Sequence, residues 1–388
     1  NKYKYLLSNS TRFHHPMVAR ELHQNDKLIK LVCGSPWYKL YTDVPKNLIK
    51  SCYFVNIFRK LLPKKSIFNN FDNYLKILNS INIDNNASKF VNNADVFIGL
   101  STTGLKTGRL GQKNGCIYVC ERSSSHIVFQ NEIMSEEYQS LGLKMKPINP
   151  WFIERELKEY EASDIILVPS NFVKKTFSKK EINKTEVVNF GSTPNDFFFP
   201  LNNIKKDEKN FNVLFVGQIS IRKGLHYLID GFSKFNHPNK KLHIIGSNTK
   251  DKIFFQNLIK KNNINNNIIL HGPKKRNEIN LIMNNCQVMV LPSIEEGLAY
   301  VTKEAISAGC PVIVSENTGA KEFVDENRCG ISIPIRDSQI IADKLTLLAD
   351  NKDLLREYTI NSINYSKAYT WTDYVESLDL IIRKIKNN

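Results

Sequence analysis

The chain has 388 residues, 41% hydrophobic and 24% charged, enough for two ordinary globular domains, and this composition excludes a largely disordered chain. No apolar run approaches the roughly 20 residues that a spanning helix needs, and no secretory leader is expected at the start. Lys and Arg outnumber Asp and Glu by 54 to 38, a net charge of +16. That favours anionic partners (nucleic acid, anionic lipid or phosphorylated substrates) without choosing among them, and a Lys- and Asn-rich composition is the plainer account.

In the first half, apolar runs predict strands at Tyr5 to Asn9, Ile29 to Cys33, Val96 to Leu100, Cys116 to Cys120, Ile165 to Val168 and Val187 to Phe190. A helical, basic, Asn-rich stretch from Asn47 to Asn86 breaks the rhythm. Within it Lys50, Arg59, Lys60, Lys64 and Lys65 interleave with Phe54, Ile57, Phe58, Leu61 and Leu62. Such a stretch suits adsorption to an anionic membrane, or is a solvated helix with its apolar side in the core. The segment from Phe197 to Lys209 turns from aromatic to charged and reads as an interdomain linker.

The second half alternates more cleanly. Strands are expected at Asn212 to Gly217, Lys241 to Gly246, Asn267 to Gly272, Gln287 to Pro292, Cys310 to Ser315 and Gly330 to Ile335. Helices are expected between them, at Asp251 to Lys261, Arg276 to Asn284 and Ala299 to Ala308 among others. This pattern means βαβ units and parallel sheets covered on both faces. The expected division is residues 1–205 with an amphipathic tail of about 367–388, and residues 206–366. The seven cysteines show no metal-type spacing, so reduced, mostly buried thiols in a cytoplasmic protein are expected.

The stretch from Leu291 to Ala305 is the richest in chemistry. A strand ends at Pro292 and Ser293, a polar loop follows, and a helix starts near Ala299. A helix N-terminus offers free N–H groups and a partial positive charge, which suit a phosphate. Gly297 allows close approach, Glu296 is placed to accept from sugar hydroxyls, and Glu304 lies about 7–8 Å along the helix, at ribose distance. The plain alternative is two solvated glutamates favouring the helix dipole.

Glu296 and Glu304 are separated by seven residues, and their flanks are Pro292-Ser293, Glu296-Gly297, Glu304-Ala305 and Gly309-Cys310-Pro311-Val312-Ile313. This block resembles the E-x7-E region of retaining family-4 glycosyltransferases of the GT-B fold, over residues 212 to about 350. The resemblance implies two doubly wound, Rossmann-like α/β domains facing across a cleft, with a C-terminal helix crossing back to the first. It also implies transfer of a sugar from a nucleotide-diphosphate donor to a saccharide or lipid-linked acceptor, as in cell-surface polysaccharide or lipopolysaccharide synthesis, without a metal or other cofactor.

The resemblance assigns catalytic roles to Glu296, Lys223 and His126, and donor contacts to Gly217, Gln218, Arg222, Lys223, Gly297, Leu298, Ala299 and Glu304. The family's Phe-Gly is Leu298-Ala299 here. Its strand-end Gly-Arg is Gly217-Gln218, so Arg222 is expected to supply the missing positive charge, unless it is a solvated loop residue. His126, after Cys120, matches a donor-facing histidine or is a satisfied structural one. Arg12 and His14, where the family has a glycine-rich loop, are expected either near the acceptor or simply on the surface. The enzymatic alternative is a nucleotide-sugar 2-epimerase of the same fold. The other is a polyanion-binding protein, although no nucleic-acid signature is present. The expected location is cytoplasmic, with peripheral attachment to the inner membrane face through the basic stretch.

Overall fold

A computed structural model describes residues 3–10, 13–40, 42–61, 69–192, 198–201, 209–249 and 251–387. Most of the expected linker lies outside the described residues, as do Arg12 and the side chains of Lys60, Leu61, Leu62, Lys64 and Lys65. The chain divides into two compact units. The first is Asn1–Asn131, Lys146–Asn189 and Trp371–Asn388, and the second is Glu132–Met145 and Phe190–Thr370.

In the first unit the strands are β1 (Tyr5–Asn9), β2 (Leu28–Cys33), β3 (Ile49–Ser51), β4 (Val96–Leu100), β5 (Ile117–Glu121), β6 (Ile165–Val168) and β7 (Thr185–Val187). They form one parallel sheet in the order β3-β2-β1-β4-β5-β6-β7. Residues of β1, β4, β5 and β6 are buried almost throughout, because helices cover both faces and each apolar run then loses contact with water on either side.

The stretch expected to be purely helical contains the edge strand β3 before its helices Phe54–Leu61 and Asn69–Ala87. Three residues are too few to show a periodicity; what makes them a strand is pairing with β2.

The C-terminal helix Trp371–Asn387 belongs to this first unit. It buries Trp371, Tyr374, Leu378 and Ile382, and it packs on the helix His15–Gln24. Its Asp379 accepts a hydrogen bond from Tyr5 Oη at 2.5 Å and pairs with Lys27. A buried acceptor without these donors would cost stability, so the pairings set the helix register.

In the second unit the strands are β8 (Phe211–Val216), β9 (Lys240–Ile245), β10 (Ile268–Gly272), β11 (Val288–Leu291), β12 (Val312–Ser315) and β13 (Gly330–Ile333). Their order is β10-β9-β8-β11-β12-β13, again parallel. Both sheets have the doubly wound order that reverses beside its first strand, which is where such folds bind ligands.

Residues 132–145 and 190–205 group with this second unit rather than with the first. Glu137 accepts from His226 Nε2 at 2.8 Å and from Arg336 Nε at 2.6 Å, and Ser192 donates its backbone N–H to the Tyr369 carbonyl. These are polar ties that no sequence spacing announces. Among the described residues no helix is long and apolar enough to cross a membrane. All seven cysteines are buried free thiols.

Candidate functional site: the reversal point of the second sheet

The loops after β8 and β11 meet where the second sheet reverses its strand order. After β8 the chain passes Gly217 and exposed Gln218, makes one 3-10 turn at Ile221–Lys223, and enters the helix Leu225–Lys234 through Gly224. Gly224 is left-handed, with φ +65°, and a Cβ there would sit 1.8 Å from the Pro292 carbonyl oxygen. Only glycine permits both the conformation and that approach, so it fixes the two loops against each other. The Ile294 N–H donates to the Arg222 carbonyl at 2.9 Å, a second tie between them.

Four charged side chains then converge. Arg222 donates Nε–H to Glu295 at 2.8 Å, and its Nη2 lies 3.3 Å from Glu296. Lys223 pairs with the same Glu296 carboxylate. Burial works to raise the Glu296 pKa, but the Arg222 and Lys223 charges together outweigh it and hold the carboxyl below its ordinary value. Arg222 is therefore a braced residue rather than a solvated loop cation. Beside these groups the Ser293 hydroxyl, fully buried just past the end of β11, has no hydrogen-bond partner among the described residues, an exception of the kind that calls for an explanation.

Gly297, Leu298 and Ala299 are buried, and the helix starts at Tyr300, with Ala299 as its N-cap. The Ala299 N–H, expected to face a phosphate, donates to the Thr318 carbonyl at 3.3 Å. The helix Tyr300–Ser307 has no side-chain cap, and its Thr302 N–H donates back to the Ala299 carbonyl at 2.8 Å.

Glu304 follows on that helix. It is only partly exposed, and its carboxylate has no ion-pair or hydrogen-bond partner among the described residues. Burial pushes its carboxyl up to about 7, against a smaller downward pull from the Arg276 charge. Next to it Lys303 is buried, with its ammonium 4.2, 4.4 and 5.3 Å from the rings of Phe323, Tyr365 and Tyr369. Its Nζ donates to Tyr365 Oη at 2.8 Å. Burial pulls the Lys303 pKa down to about 7.

Sequence reasoning missed Glu295 and Lys303. Glu295 had a signal, since it is a second acid directly beside Glu296 in the loop after β11. Lys303 had none, because its aromatic box is assembled from two distant segments, one carrying Phe323 and the other Tyr365 and Tyr369.

In the first unit, His126 is buried with its ring 5.1 Å from Tyr160 and 5.0 Å from Phe177. Its backbone N–H donates to Thr176 Oγ1 at 2.9 Å, and its Nδ1 accepts from the Val128 N–H at 3.3 Å. His14 is also buried, stacked on Trp371 at 6.0 Å and edge-on to Phe13 at 4.9 Å. Burial lowers the His14 pKa.

His14 and His15 both meet the Glu121 carboxylate, His15 Nε2 at 2.6 Å, and these three residues bring metal-capable atoms within 4.8 Å of one another. Two ligands on one ion at about 2.0–2.1 Å each stand roughly 3 Å apart. The 2.6 Å separation is instead that of a hydrogen bond to an ionised carboxylate, so the arrangement fits an imidazole–carboxylate cluster better than an ion site.

Residues 199–365 match the family model described as glycosyl transferases group 1. The chain is 29% identical over 239 residues to the capsular polysaccharide biosynthesis glycosyltransferase CapM of Staphylococcus aureus, covering 56% of this chain and 61% of CapM. It is 26% identical over 247 residues to the lipopolysaccharide 1,2-N-acetylglucosaminetransferase of Salmonella typhimurium, covering 58% and 63%. The matches thus span about three-fifths of these relatives' length. Among solved structures, the sucrose-phosphate synthase of Thermosynechococcus elongatus aligns over 100% of both chains, with TM-score 0.75 and 15% identity. HepE of Anabaena in complex with UDP-glucose aligns over 100% of both, with TM-score 0.64 and 13% identity. At such identities the likeness establishes the fold, GT-B with two Rossmann-like units.

Proposed function

We propose that this protein is a glycosyltransferase that moves a sugar from a nucleotide-diphosphate donor to a hydroxyl of a saccharide or glycolipid acceptor, with retention at the anomeric carbon. The reading places it in cell-surface polysaccharide or lipopolysaccharide synthesis. One observation carries it: Lys223, Arg222 and Glu296 converge at the reversal point of the second sheet, one short loop before a helix that presents Glu304, a carboxylate without a partner among the described residues. HepE, which has the same fold, was solved with UDP-glucose, and this supports a nucleoside diphosphate as the leaving group.

In this reading the diphosphate lies over the start of the helix Tyr300–Ser307, and the ribose hydroxyls donate to Glu304. Glu296 accepts from the sugar, and Lys223 and Arg222 face the phosphates. The bond from the anomeric carbon to the diphosphate oxygen breaks as the acceptor oxygen bonds to the same face. The acceptor's proton passes to the departing phosphate oxygen, so the products are a nucleoside diphosphate and a glycoside. The accumulating negative charge meets cations already positioned for it, and in sites of this kind such preorganised charge usually contributes most to the rate. Those cations are our assigned source of countercharge.

The test is a panel of nucleotide sugars, scored by calorimetric binding and by slow hydrolysis without acceptor. We expect one or a few donors to bind, and Lys223→Ala to lower their turnover about 100-fold or more. The absence of binding to every donor would overturn the reading. The anomeric configuration of the product, read by NMR, tests retention.

A further inference from the structure

A cavity of about 830 Å³ in the first unit opens at the carboxyl edge of its sheet, beyond the ends of β1 and β2. Its walls combine two chemistries. Phe13, Tyr38 and Tyr53 supply ring faces, with Phe13 and Tyr38 exposed. Lys39, Arg59 and Lys76 supply three cations.

These charges are under-compensated. Arg59 and Lys76 share the single carboxylate of Asp72, at 3.3 and 2.6 Å. Lys39 has no acidic partner among the described residues and leans on the Tyr38 ring at 5.7 Å. Three cations against one carboxylate leave the wall at +2.

The floor is also unfinished. Asn79 is 4% exposed, and its Oδ1 has no hydrogen-bond partner among the described residues. Leaving such an acceptor unpaired costs free energy unless something donates to it. Beside it Thr102, a β-branched residue with φ +80°, is held by its N–H to Glu159 at 2.5 Å. A non-glycine residue held there is strained, and strain of this sort collects at binding sites.

Rings that stack on a sugar face, an orphan acceptor for a hydroxyl and an excess of cations define one ligand class. We propose that this cavity binds a saccharide carrying a phosphate or a carboxylate, which makes the acceptor of the reaction anionic. The inference rests on the transfer reading above for the word acceptor, but the binding chemistry stands on the cavity alone. The anion sits among Lys39, Arg59 and Lys76, and a hydroxyl of the same sugar donates to Asn79.

The test uses the full chain, with glucose, glucose 6-phosphate and glucuronic acid as probes, followed by NMR titration at low and at physiological salt. At least one anionic sugar should bind about tenfold more tightly than glucose, the ratio that one charge-assisted hydrogen bond supplies. The margin should shrink with salt. Preference for the phosphate or for the carboxylate identifies the source of the charge.

The triple variant Lys39→Gln, Arg59→Gln, Lys76→Gln should bring all three sugars within about twofold of one another. The variant Asn79→Asp, which gives the orphan position a charge of the wrong sign, should weaken the anionic sugars most. The melting transition of the first unit is the folding control. Equal affinities for the three sugars in the native protein would overturn the proposal, as would a triple variant that melts like the native protein and keeps the full anionic preference. Anionic binding without turnover of any nucleotide sugar would sink the transfer reading and leave this cavity's ligand class standing.

Discussion

Arg222 donates its Nε–H to the fully buried Glu295 at 2.8 Å while its Nη2 stays 3.3 Å from Glu296. One residue thus braces the guanidinium and the other is itself shared with Lys223. In the proposed reading, an arginine held this way would lose little further freedom when a diphosphate arrives, which is the advantage of preorganisation.

Removing the brace tests that relationship. Glu295→Ala leaves Arg222 half-anchored and creates a small void. Arg222 is partly exposed, so the loss should be smaller than for a fully buried pair, about 1–3 kcal/mol. Urea unfolding measures it. A midpoint within error of the native protein would show that Glu295 is dispensable.

Lys223 should behave in the opposite way. Its partner Glu296 also has Arg222, so Lys223→Ala should barely move the melting temperature. Turnover at saturating donor should fall about 100-fold or more, the scale for loss of one preorganised charge-stabilising group. Native turnover in this variant would remove Lys223 from the leaving-group role.

Glu304 makes stability depend on pH in a specific window. Its folded pKa, about 7, lies above the ordinary 4.5. Between those values the folded protein holds a proton that the unfolded chain has released, so stability falls as pH rises through the window. Above pH 7 the buried charge persists at a cost. Glu304→Gln should therefore stabilise by about 1–3 kcal/mol above about pH 7 and by nothing below about pH 4.5, while weakening donor binding. Melting curves of both proteins from about pH 4 to 8 decide it, and parallel curves would show that the group is not buried as charge.

The C-terminal helix offers a test of architecture. Truncation after Tyr369 removes Trp371, Tyr374, Leu378 and Ile382 from the first unit's packing and strands Tyr5 and Lys27. Trp371→Ala alone should cost about 3–5 kcal/mol, the range for a fully buried aromatic. A truncated chain with an unchanged first-unit melting transition would mean that this helix contributes nothing there.

Much of this was legible in the residues themselves. A buried parallel strand must be apolar on both faces and bounded by turn formers, so β1, β4 and β6 could be delimited from the chain alone, and most others to within a residue or two. The loop–helix segment carrying Glu296 and Glu304 was legible for the same local reason, since strand end, glycine and helix start are neighbours in sequence. Charge and burial at the site were not local. Lys303 is enclosed by Phe323, Tyr365 and Tyr369, and His14 is sealed by Trp371 from the far end of the chain. Whether a histidine or a lysine meets solvent depends on which distant elements cover it, and those coverings are set by packing between segments tens to hundreds of residues apart. Residue type and spacing therefore determined the elements and their chemistry, whereas only the tertiary structure decided which charged groups lost their water and which kept it.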